Sequence, residues 1–228
     1  MNGERLRVRS LTFDVGGTLI RPWPSVGHVY ASAARRYGYS NINPEILNRQ
    51  FTAAWKAKTN FDHSRHAWLQ LVQKAFAGSA AAAGIEEFFD NLYQEFAGRQ
   101  SWRIFDDVFP TLEELRRRGF RLGIISNWDE RLRPLLAELD LSPYFESIVI
   151  SVEAGYVKPE RQIFETAISS LAVPAQSILH VGDSPTEDLA GAQAAGLNAL
   201  FLDRNPPSRG SSIASLAELL GLVNSPFD

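Results

Sequence analysis

The sequence predicts an α/β protein, a doubly wound parallel sheet with an inserted α-helical domain, and three observations predict it. Five short apolar runs, at residues 6–13, 120–125, 147–151, 178–181 and 199–202, have the length and composition of strands. From residue 101 onward these runs alternate with stretches of helical spacing, and strands that alternate with helices pair in parallel. Between the first run and the second lies a long segment, residues 21–100, whose Ala, Phe, Trp and Leu residues recur at helical rather than strand spacing.

The first run alternates apolar and polar residues and ends at Asp14, just before Gly16 and Gly17, as a strand feeding a glycine loop would. The inserted segment breaks near residues 38–44, 59–63 and 78–84, which divides it into four helices. A helix over 108–118, closed by Gly119, leads to the second strand, which ends at Ser126 and Asn127. Helices near 130–139, 159–171 and 186–195 separate the remaining strands. In a doubly wound sheet the polar residues at the carboxyl ends of the strands gather in one crevice. Asp14, Ser126 and Asp183 are all at such ends.

Composition narrows the function. A formal net charge of -3 supplies no basic field for a phosphate backbone, which argues against nucleic acid as the main partner. With no cysteine, disulfides, thiolate nucleophiles and Cys-containing zinc sites are excluded, so a metal would have to sit on oxygen or histidine. The run that follows Arg5, Arg7 and Arg9 is short and broken by Asp14, Gly16 and Gly17, unlike a secretory leader, and no stretch is apolar enough to span a bilayer. The expectation is a soluble, cytoplasmic protein without a membrane partner.

Singly, the polar residues at the strand ends are ordinary. Asp and Gly form turns, Ser126 and Asn127 could cap a helix, and Lys158 could lie on the surface. Asp183 and Asp188, beside Pro185 and Thr186, could charge a helix start. Together and in order, Asp14 with Thr18, Ser126 with Asn127, Lys158 before Pro159, and Gly182-Asp183 with Asp188 resemble the four motifs of the haloacid dehalogenase superfamily. The resemblance extends over nearly the whole chain.

That resemblance implies a Rossmann-like core from residues 1–20 and 101–228, and a helical cap from residues 21–100. It implies a magnesium-dependent hydrolase, a phosphatase of small phosphorylated metabolites, in which Asp14 attacks and becomes aspartyl phosphate. Thr18, Ser126 and Asn127 would hold the phosphate, and Lys158 would supply positive charge. Asp14, Asp183 and the Gly16 carbonyl would bind Mg2+, with Asp188 as a further ligand or an acid behind them. Trp128, which follows Asn127, is a candidate for lining the pocket mouth. The cap is rich in rings, among them Trp23, Tyr30, Phe51, Trp55, Phe61, Trp68 and Phe76, and rings at helical spacing pack helix on helix.

The chain departs from the family at Gly16, where most phosphatases of the superfamily carry a second Asp as general acid. General acid catalysis contributes about 10²- to 10⁴-fold. A phosphatase without that residue would take its proton from another side chain, with Asp129, Glu130, Glu153 and His28 as candidates, or act on esters with good leaving groups. Two other chemistries of the superfamily also lack the second Asp: a phosphonatase, for which Lys56 and Lys58 are cap lysines, and a 2-haloacid dehalogenase, for which Arg21, Arg35 or Arg36 could hold halide. A purely binding role would not need the charge cluster of Asp14, Lys158, Asp183 and Asp188.

Overall fold

The computed structural model describes residues 6–59, 61–205, 212–224 and 226. Five strands, β1 (Ser10–Phe13), β4 (Arg121–Ser126), β5 (Ser147–Ile150), β6 (Ile178–Gly182) and β7 (Asn198–Phe201), form one parallel sheet in the order β5-β4-β1-β6-β7. Two further strands, β2 (Ile20–Pro22) and β3 (Trp102–Ile104), pair in a separate two-stranded sheet at two of the four points where the chain passes between its compact units. Three residues are too few to show a period, and the sequence pattern did not mark either one.

The sheet belongs to the first unit, which takes the described parts of Met1–Ile20, Ile104–Glu130 and Leu139–Asp228. The strands β1 and β6 are buried along their whole length, as expected of central parallel strands covered on both faces. Helices α5 (Val108–Arg117) and α8 (Arg161–Leu171) flank it, and Ile163, Phe164, Ala167 and Leu171 of α8 pack on Ile125, Val149 and Ile178. Short helices α7 (Ser151–Ala154), α9 (Gly191–Ala194) and α10 (Leu219–Leu222) complete the unit. The strand order turns at β1: the chain builds outward through β4 and β5, then returns to β6 on the other side, leaving a crevice at the carboxyl ends.

The second unit is Arg21–Arg103 with Arg131–Glu138. It contains the four expected helices, α1 (Val26–Arg36), α2 (Pro44–Lys56), α3 (Arg65–Ala75) and α4 (Ile85–Glu95), around a core that includes Tyr30, Leu47, Phe76, Phe88 and Leu92. Ser25, Asn43 and Ser64 cap the first three through side-chain oxygens. Helix α6 (Leu132–Glu138), read from sequence as part of the residue 101–228 core, packs instead with this unit. Arg131 explains why: its guanidinium donates to the Tyr93 carbonyl and lies 3.5 Å from the Tyr93 ring centroid, while Glu138 accepts from the Arg99 amide. Most of the rings between residues 21 and 100 are core or partly buried against it, whereas Trp23 is exposed beneath Arg21 and Arg103.

Where a helix was expected over 186–195, the chain makes a π-helical turn, Pro185–Ala190, before α9. Such wide turns are rare and concentrate at functional sites. Among the described residues no helix is long and apolar enough to cross a membrane.

Candidate active site

Asp14 follows the last residue of β1, and its amide donates to the Val181 carbonyl of β6, which sets the start of the loop by sheet register. The loop turns back at Gly17, whose φ of +81° favours glycine. A side chain there would also run into the Asp183 carboxylate. Gly17 therefore serves the turn and the approach of Asp183 together.

Lys158 is the centre of the charge cluster. Buried on the loop before α8, its Nζ donates to Asp14 Oδ1 at 2.7 Å and to Asp188 Oδ1 at 2.5 Å. Burial by itself would lower the Lys158 pKa, but the two carboxylates outweigh it and raise it, so the ammonium keeps its charge. Burial likewise pushes at Asp188, yet the charge of Lys158 and the contact with His180 hold its carboxyl well below the usual range. Asp14 is raised by burial, with Lys158 opposing and Asp188 adding to the rise. Ser126 at the end of β4 donates to Asp14 Oδ1 at 3.0 Å. Both side-chain donors thus choose the same oxygen, Oδ1.

Asp183 stands apart. Its side chain is exposed, and among the described residues no side-chain donor reaches it. Its pKa is pushed up to about 7, by partial desolvation and then by the charges of Asp14 and Asp188. Because the residue is open to solvent, the like charges are the firmer cause.

One carboxylate oxygen from each of Asp14, Asp183 and Asp188 lies within 4.8 Å of the others. Three carboxylates against one ammonium leave an excess of negative charge, and an all-oxygen donor set suits a hard divalent cation. The fit is best for Asp14 and Asp183. Both oxygens of Asp188 are already engaged, Oδ1 by Lys158 and His180 and Oδ2 by the Ser184 amide at 2.9 Å. The Gly16 carbonyl accepts no hydrogen bond among the described residues.

The remaining sequence candidates divide between the two units. Asn127 bonds the Lys158 backbone on both sides, donating to its carbonyl at 2.9 Å and accepting from its amide at 2.6 Å, so its side chain positions the lysine. Thr18 is wholly buried, and among the described residues its hydroxyl has no hydrogen-bond partner, while its carbonyl accepts from Arg204 at 2.7 Å. Trp128 is half-buried and borders Gly16. Of the candidate acids, Asp129 is buried, whereas Glu130 and Glu153 are exposed and belong to the first unit with it. His28 belongs to the second unit and bonds Ser25 at 2.8 Å. Lys58 lies over the Trp55 ring, and Arg36 pairs with Glu95.

Sequence reasoning missed His180 and Thr12. Paired across β1 and β6, they form a buried chain in which Thr12 Oγ1 lies 2.9 Å from His180 Nδ1 and His180 Nε2 lies 3.1 Å from Asp188 Oδ1. The available signal was a polar residue in each of two otherwise apolar runs, Leu-Thr-Phe and Leu-His-Val. A buried polar side chain needs a partner, and these two supply one another.

Residues 8–196 match the family model of the haloacid dehalogenase-like hydrolases. The human haloacid dehalogenase-like hydrolase domain-containing protein 3 is 34% identical over 210 residues, covering 87% of this chain and 83% of that protein. Among solved structures, a HAD phosphatase from Thermococcus onnurineus is 25% identical with a TM-score of 0.68, covering 95% of this chain and 99% of that one. A 2-haloacid dehalogenase from Pseudomonas syringae pv. tomato DC3000 is 26% identical with a TM-score of 0.63, covering 94% and 97%. With the sheet, the order of the strand-end residues and the match over residues 8–196 in agreement, this chain belongs to the haloacid dehalogenase-like hydrolases.

Proposed function

We propose that the protein is a magnesium-dependent phosphatase of small phosphorylated metabolites, working in the cytoplasm through an aspartyl phosphate on Asp14. The observation that carries this reading is the buried Asp14–Lys158–Asp188 cluster with Asp183 open beside it. Asp14 and Asp183, with the Gly16 carbonyl, would hold the cation, and Asp188 would fix Lys158 and complete the acidic set. Bound there, magnesium would offset the negative charge of a phosphoryl group as a carboxylate approaches it.

The chain's own residues do the rest. Lys158 and Ser126 meet phosphoryl oxygens as they exchange partners from Asp14, and the Asn127 side chain keeps the lysine backbone in place. Asp14 attacks phosphorus, the ester oxygen leaves with its electron pair, and water then hydrolyses the acyl phosphate. The four-helix unit is read as a cap that selects the substrate.

Phosphate release from an aryl phosphate, with and without magnesium, tests the reading. Wild-type protein is expected to release phosphate only with the metal, and Asp14→Asn protein purified identically is expected to release none. Equal release from the two proteins would overturn it. A 2-haloacid dehalogenase is the second reading, favoured by Gly16 and by the likeness to the Pseudomonas syringae enzyme. Metal-independent, Asp14-dependent halide release from a 2-haloacid would establish that reading instead.

A further inference from the structure

The loop that carries Asp14 has no proton donor at position 16, and the structure places something else there. A Cβ built on Gly16 would come within 3.2 Å of Trp128 Cζ3, tighter than ordinary van der Waals contact, and 4.0 Å of Cη2. The six-membered ring of the indole therefore lies against the glycine, two residues from the nucleophile. Its backbone is held in place. The Trp128 amide donates to Ser151 Oγ at 3.0 Å, the same hydroxyl donates to the Trp128 carbonyl at 2.9 Å, and the Val152 amide donates to that carbonyl at 3.3 Å. Ser151 is itself buried, at the start of α7.

We infer that Trp128 is a specificity-determining residue: its ring crowds the space a side chain at position 16 would need and restricts turnover to phosphate esters whose leaving group departs without a proton. The inference rests on the phosphatase reading. Indole carbon can neither donate a proton nor solvate an alkoxide, but it offers an apolar surface to a flat leaving group. Aryl phosphates and other esters of acidic alcohols form the matching class. In the first step a bond forms between an Asp14 carboxylate oxygen and phosphorus, and the bond from phosphorus to the aryl oxygen breaks. The electron pair stays on the aryloxide, which takes its proton from bulk water. In the second step water adds to phosphorus, the Asp14 oxygen leaves as carboxylate, and phosphate departs with the remaining proton released to solvent.

The test combines Gly16→Asp, Trp128→Ala and the double variant, assayed with magnesium on a series of aryl and alkyl phosphates. Wild-type kcat/KM is expected to favour aryl over alkyl esters by at least about 10²-fold, the size of an absent general acid. Trp128→Ala is expected to lower aryl turnover by up to about tenfold, the range of one lost ring contact. Gly16→Asp alone should bring no gain on alkyl esters, whereas the double variant should gain at least about tenfold. A gain from Gly16→Asp equal to that of the double variant would overturn the claim that the ring keeps the position. An unchanged aryl rate in Trp128→Ala would overturn its contact with the leaving group.

A thermal-denaturation cycle reads the steric contact without reference to activity. Gly16→Ala is expected to lower Tm in the wild-type background and to cost less beside Trp128→Ala, and strictly additive losses would refute the contact. If the wild-type protein shows no Asp14-dependent hydrolysis of any ester, the phosphatase reading and the specificity claim fall together, while the cycle still decides whether the ring and the glycine are coupled.

Discussion

At the scale of the residue, one buried ammonium is shared by two buried carboxylates. Lys158 satisfies both Asp14 and Asp188, and each would be an unpaired charge in the interior without it. Breaking such an arrangement from one side costs about 3–5 kcal/mol, more than the intact pairs contribute over apolar substitutes. Lys158→Met is therefore expected to lower the unfolding free energy by about that amount in urea titration. A variant as stable as wild type would mean that the two carboxyls take up protons and that their ionisation in the native protein depends on the lysine alone. Asn127 belongs to the same arrangement, since it holds the lysine's backbone and not its charge.

At the scale of the element, the π-helical turn after β6 decides where Asp188 points. The wide turn brings Asp188 back over the end of the strand, so that one oxygen receives the Ser184 amide and the other meets His180 and Lys158. This packing requires Gly182, because a Cβ there would coincide with the Asp188 carboxyl group. Gly182→Ala must displace either the strand end or the aspartate, and such overpacking costs about 1–3 kcal/mol. A matching fall in chemical-denaturation stability is the expected result, and an unaffected midpoint would show that Asp188 moves freely. Periodicity predicted a helix in this stretch, and a single turn is too short for the pattern to tell π from α. On the wider turn the carboxylate meets Lys158, 30 positions away, and His180 on the preceding strand.

At the scale of the whole molecule, Asp107 ties together parts of the first unit that are far apart in sequence. It accepts from Arg204 at 3.0 and 3.1 Å, from Ser215 Oγ at 2.7 Å and from the Leu216 amide at 2.8 Å, while Arg204 also reaches the Thr18 carbonyl and covers the Phe105 ring. Partial burial raises the Asp107 pKa, but the donors more than offset this and lower it overall. A carboxyl whose folded pKa lies below its unfolded value stabilises fully above the unfolded value, about 3.9. That contribution is lost as pH falls through the folded pKa. Asp107→Asn is expected to cost about 1.5–3 kcal/mol at neutral pH, the range for hydrogen bonds to a charged group. Its stability should also decline less steeply than that of wild type below about pH 4, where wild-type Asp107 takes up its proton. Parallel acid-denaturation curves for the two proteins would contradict this account.

Local pattern determined most of the secondary structure. The five core strands, the four helices between residues 21 and 100 and the order Asp14, Ser126, Lys158, Asp183 and Asp188 could all be read from the chain, because burial imposes a period and strand ends in a parallel sheet share one edge. Tertiary structure alone decided the rest. Helix α6 joined the second unit through the Arg131 contact with Tyr93, the π-helical turn brought Asp188 to Lys158 and His180, and the Thr12–His180 pair met only because two strands distant in sequence lie in register. Trp128 met Gly16 in the same way, across 112 positions that no local period connects. Periodicity records which side of an element is buried, whereas the partner found on that side depends on how the elements are packed.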